Sequence, residues 1–242
     1  MSELHFCCYG KLPVFGDFIT RGNDKGFIRY LDQWFQQGLP TLQMTEGSVA
    51  RQQYLAAPVW NFLWPDVFGQ GKVGLGVVTP SHDRVGRLFP WILLGTQELN
   101  RFQPVTLAGL KEFYWSMGSI AFNAVKRQHF PDDIEHEFAA LDILFMKARQ
   151  KFVDEPHENE DDVLSILGIP SEKGGETISD QTTVPLSENY LPWAELPMIF
   201  DATGGTSYWW TNQYNGGALR GFVHHGGLTT PLLKTLFKGI DL

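Results

Sequence analysis

Cysteine is scarce in this sequence: Cys7 and Cys8 are the only two, and they are neighbours. A disulfide between adjacent residues is strained, and neither has another partner. Two buried thiols on a strand, in a reducing compartment, are the expectation. Long apolar runs are also missing. No stretch approaches the roughly 20 residues that a membrane helix requires. The opening MSELHFCCYG has neither a basic start nor a long apolar core, so it does not read as a signal peptide. A soluble cytoplasmic protein is expected. Basic residues are few, 19 against 27 acids, with a net charge of −8. No Lys/Arg cluster offsets that balance, which argues against binding a phosphate backbone.

Recognisable chemistry is lacking too. GKLPVFGDFITRG (residues 10–22) is glycine-rich, but Lys11 precedes Gly16 where a Walker loop has lysine after its second glycine. It is read as a long ordered loop, with Asp17 bonding to backbone N–H groups. In SHDRVGRLFP (81–90), Ser81, His82 and Asp83 are consecutive, whereas triad members come from separate segments. Pairing of Asp83 with Arg84, Arg87 or Arg21 is the better reading, because arginine favours planar carboxylate partners. His224 and His225 are adjacent and would face opposite sides of a strand. No HExxH, CxxC or calcium-loop spacing occurs. Neither a metal nor a cofactor is expected. A hydrolase or nucleotide-binding enzyme using the two loops is the competing function class; it requires Asp17, Asp83 and His82 to converge.

What is abundant is aromatic side chains: 18 Phe, 8 Trp and 7 Tyr. Such a content means a bulky core or a sticky surface, since Trp is enriched at interface hot spots. Trp209 and Trp210 lie in a strand-like stretch, TSYWWTN, where alternation sends them to opposite faces. One could meet a partner, but two buried tryptophans are at least as good a reading.

The apolar pattern predicts strands at 4–9, 59–64, 73–79, 88–95, 197–202, 206–212 and 220–225. Pro90 should confine its strand to an edge or a kink. A helix from Phe27 is expected to stop at Gly38 and Pro40. Helix faces are spelled out by Leu107, Leu110, Tyr114, Met117, Ala121 and Ala124, and then by Ile134, Phe138, Leu141, Phe145, Ala148 and Phe152. Thr106 is the expected cap of the first, with a Val105–Leu110 staple, and Asp132 with Glu135 the capping box of the second. A last helix is read at 231–238. The acidic run 154–162 reads as a solvated loop, followed by a short helix at 161–168 and a mobile polar stretch to 185. The whole is an α+β chain: one domain over 1–242, with a largely antiparallel sheet flanked by helices in an α/β/α-like layering.

Three segments taken together, GKLP..GDF..RG, S.DR.GR.FP and S.WW, resemble the TagF family, also called ImpM, associated with type VI secretion in Gram-negative bacteria. Asn23–Asp24 and His82 depart from the family pattern, which has a hydrophobic residue and proline after Arg21–Gly22 and an apolar residue at 82. The resemblance implies a standalone, non-enzymatic regulator. Such a protein would repress secretion post-translationally by binding the cytoplasmic forkhead-associated scaffold protein. The family brings no catalytic residues. The residues themselves suggest one packed, charge-paired surface from the two loops, with Asp17, Arg21, Asp83, Arg84 and Arg87 as its polar members. Trp209 and Trp210 complete the candidate partner-binding set.

Overall fold

The computed structural model describes residues 2–22, 24–43, 47–66, 69–130, 133–151, 196–212 and 218–238. The expectations for the acidic run, the helix at 161–168 and the polar stretch to 185 lie outside these residues.

Among the described residues seven strands form one sheet: β1 (His5–Gly10), β2 (Ile19–Gly22), β3 (Trp60–Trp64), β4 (Lys72–Thr79), β5 (Trp91–Glu98), β6 (Thr206–Asn212) and β7 (Ala218–His225). Their order is β2-β1-β5-β4-β3-β6-β7, and every pairing is antiparallel. The α+β class and the antiparallel sheet expected from the sequence are therefore found.

Both faces of the sheet are covered. The period of two divides β5 cleanly: Trp91 and Leu93 enter one core, Ile92 and Leu94 the other. The first core is roofed by α3 (Lys111–Lys126) and α4 (Ile134–Arg149), the second by α1 (Lys25–Gln43), α2 (Gly47–Ala56) and α6 (Thr230–Lys238). Cys7 and Cys8 are split the same way, and both are free and buried. Burial pushes the Cys8 thiol up to about 12 and that of Cys7 higher still, so neither is a ready nucleophile.

Several local expectations are corrected. Helix α1 does not stop at Gly38 and Pro40. The Thr41 hydroxyl donates to the Gly38 carbonyl at 2.6 Å, and α6 crosses so closely that a Cβ on Gly38 would strike Leu233. Gly38 is thus a packing residue here, not a stop. Helix α2 carries little sequence signal and was not anticipated. PMIF does not form a strand: Leu196–Ile199 is a one-turn helix, α5, anchored by its buried Leu196. Pro90 precedes β5, outside the ladder, so β5 is an interior strand and not an edge. Thr106 lies buried within a 3-10 helix, Pro104–Gly109; α3 starts at Lys111 with no side-chain cap.

The cap of α4 is Asp133, whose carboxylate accepts from the His136 N–H at 3.2 Å. Replacing Asp133 by alanine should cost about 1 kcal/mol, read by urea denaturation. Loss of less than a few tenths would show that this cap does not hold the helix.

Candidate functional site

The loops after β1 and β4 meet at one end of the sheet. Asp83 is at their centre, fully buried. Its Oδ1 accepts from the N–H groups of Val85 (3.1 Å) and Arg87 (2.8 Å). Its Oδ2 accepts from Lys11 Nζ at 3.0 Å and Arg87 Nε at 2.5 Å. Burial alone would raise this carboxyl. Donation from the Arg87 backbone, Lys11 and the Arg87 side chain outweighs it and holds Asp83 well below the usual carboxylate range.

The local backbone explains why Asp83 can do this. Gly86 N–H donates to the Asp83 carbonyl at 2.9 Å, and Gly86 has a φ of +86°, which glycine adopts without strain. The turn brings the backbone of 85–87 around onto the carboxylate. Arg51 then reaches from α2 to the Gly86 carbonyl at 2.8 Å.

The same residues tie the loops together. Arg87 Nη2 donates to the Gly16 carbonyl at 2.9 Å, and Arg84 N–H donates to that of Phe15 at 2.8 Å. Lys11 Nζ stands 4.9 Å over the Phe18 ring. Phe18 also stacks on Tyr9 and meets Phe89 edge-on, and Phe89 meets Phe35 of α1. On the other side, Phe15 packs on Phe130, which packs on Trp91. The loop pair is therefore wedged between both cores.

The sequence reading is met in part. Asp83 and Arg87 come together as expected, and Arg84 contributes through its backbone. Arg21 does not pair with Asp83; it lies exposed on edge strand β2 and donates to the Thr20 carbonyl. Asp17 is exposed and makes no hydrogen bond or ion pair among the described residues, so it does not satisfy loop N–H groups. Trp209 and Trp210 are both fully buried, one in each core, and neither presents a surface. Lys11 was missed as the second cation. Its signal was a lone lysine between Gly10 and Leu12, in a loop otherwise apolar up to Asp17.

The remaining candidate chemistry does not assemble. His82 Nδ1 contacts the Asp83 carbonyl at 2.8 Å, not the carboxylate. The Ser81 hydroxyl is buried and meets no base among the described residues. His224 bonds the Gly227 carbonyl while His225 bonds Thr206. Among the described residues no group of three or more His, Cys, Asp or Glu is placed to hold a metal. No helix among them is long and apolar enough to cross a membrane. Asp24, which departs from the family pattern together with Asn23 and His82, has a structural use. It accepts from the Phe27 N–H at the start of α1 and pairs with Lys72 at 3.0 Å.

The loops also expose four apolar side chains, Val14, Phe15, Phe18 and Val85 (Val85 by 70%), beside exposed Asp17, Arg84 and Arg87. Fold and site together define an α+β domain whose motif loops spend their buried charge on holding each other. The model of the TagF N-terminal domain, described as type VI secretion system-associated, matches residues 7–141, more than half of the chain. The chain belongs to this family. The third motif, at Trp209–Trp210, lies beyond the matched span. A solved structure, PA0076 from Pseudomonas aeruginosa PAO1, is similar in fold. Its TM-score is 0.60 at 22% identity, covering 98% of this chain and 96% of that one. No curated protein matches the chain.

Proposed function

We propose that this type VI secretion-associated protein is a post-translational repressor that binds the forkhead-associated scaffold protein in the cytoplasm, with the loop pair as its contact surface. Family membership supplies the secretion system. The observation that supports a binding role is the division of labour in the loops. Asp83 and Lys11 are buried against each other and Arg87 is tied to Asp83 at the surface, while Val14, Phe15, Phe18 and Val85 are exposed. Apolar side chains on a rigid frame bind with little ordering cost. An enzyme at the same loops would need Asp17, His82 and Asp83 to converge. Asp83 has no oxygen to spare for such a site.

The test is capture of the scaffold by the tagged protein from a bacterium carrying the secretion system. Wild type should retain the scaffold, and Val85→Asp should lose it. Because Val85 touches little of the fold, that variant should stay within about 0.5 kcal/mol of wild-type stability. Failure of wild type to bring down the scaffold, or full capture by Val85→Asp, would refute this reading.

A further inference from the structure

A cleft of about 750 Å³ lies away from the motif loops, between α3, the Pro58–Val59 segment and the ends of β6 and β7. One wall is a stripe of α3, with Trp115, Gly118 and Phe122 at helical spacing. Trp115 and Phe122 are 42% and 43% exposed. Gly118 keeps the floor open: a Cβ there would come no nearer than 3.8 Å to Asn212 and 4.0 Å to Asn61.

The rim is charged, and of one sign. Among the described residues, Arg127 and Arg220 line the cleft and no acidic residue does. Like Arg21, Arg29, Arg51 and Arg84, Arg127 and Arg220 have no ion pair among the described residues. In a chain of net charge −8, this is a local inversion. Polar atoms without a partner also lie behind this wall. The Oγ1 of Thr211, a lining residue, and Asn61 Oδ1 below Gly118 are buried without a hydrogen-bond partner among the described residues. Asn123 adds a further side-chain amide to the lining.

The geometry points to a docking groove for a short acidic peptide segment of a partner protein. Two of its apolar side chains would contact Trp115 and Phe122 in succession, and its carboxylates would meet Arg127 and Arg220. Exposed tryptophan beside arginine is the composition of interface hot spots. Amide side chains suit the N–H and C=O groups of a peptide backbone. A single stacked base fits less well. Residues 115 and 122 are seven apart, so their Cα atoms are separated by roughly 10 Å along the helix. That spacing offers two successive contacts along an extended segment, not a sandwich around one ring. The site is independent of the loop pair.

The experiment is a fluorescence anisotropy titration of the full chain. The probe is a pool of labelled hexapeptides, each with three glutamates and three residues drawn from Phe, Leu and Trp. Saturable binding is expected, with none for the pool in which lysine replaces glutamate. Arg127→Glu and Arg220→Glu should each weaken binding by at least about tenfold. Gly118→Leu should fill the groove and abolish binding with no fall in melting temperature. Val85→Asp should bind the peptides as wild type does, which separates this groove from the loop pair. The inference is overturned if the acidic pool does not bind saturably or if the lysine pool binds equally. It is equally overturned if Gly118→Leu and both arginine variants bind as wild type, or if AMP displaces the peptides more effectively than unlabelled peptide does.

Discussion

Asp83→Ala should lower the stability of this protein by about 3–5 kcal/mol, the usual consequence of breaking a buried ion pair from one side. The substitution strands Lys11, which is only 7% exposed and has Asp83 as its ion-pair partner. It also strips the Val85 and Arg87 N–H groups of their acceptor. Domains of this kind hold roughly 5–15 kcal/mol in total, so a substantial part of the fold's margin is at stake. Lys11→Met should cost less, because Arg87 and two N–H groups still satisfy the carboxylate. Urea denaturation of the two variants tests the order, and a smaller loss for Asp83→Ala than for Lys11→Met would be incompatible with this account. The pH dependence follows from the sign of the shift. The folded carboxyl lies below its unfolded value of about 3.9, so its contribution is complete above that value. It is lost as pH falls through the folded value. Wild type should therefore lose stability faster than Asp83→Ala as pH falls below about 4.

Trp209→Ala and Trp210→Ala should each cost about 3–5 kcal/mol, the range for truncating a large buried aromatic. They do so on opposite sides of the sheet. Trp209 packs among Trp34, Phe62 and Trp64, and its Nε1–H donates to Ser207 Oγ at 2.9 Å. Trp210 meets the Tyr114 ring of α3 edge-on, with centroids 4.6 Å apart. Thermal or urea denaturation reads both losses. A variant that kept its stability and lost only scaffold capture would instead put that tryptophan on the partner surface.

These two predictions mark where sequence and tertiary structure part company. Alternation along TSYWWTN correctly sends the two tryptophans to opposite faces, because a strand has a period of two. It says nothing of what covers each face. That was decided by α1, α2 and α6 packing on one side and α3 and α4 on the other. The faces of α3 and α4 were legible because their apolar residues recur every three or four positions. The ends were less so: Thr106 went into a 3-10 helix, and Gly38 is glycine because Leu233 presses against it across nearly 200 residues of chain.

Local chemistry settled most of the elements, though not β2, α2 or the turn at 196–199, and much of the character of the loops: the main strand runs, the helix faces, the glycines at the turns, and an acid beside two arginines at 83–87. These depend on neighbours in sequence, and so the sequence alone determined them. The partner of that acid, the order of the strands and the position of Pro90 outside an interior strand were decided only in three dimensions. Lys11 and Asp83 are 72 residues apart. Their contact depends on β1 and β4 both lying beside β5, which delivers the two loops to the same end of the sheet. Side-chain pattern specifies which face of a strand is buried; which strand lies beside it depends on how the assembled layers exclude water best.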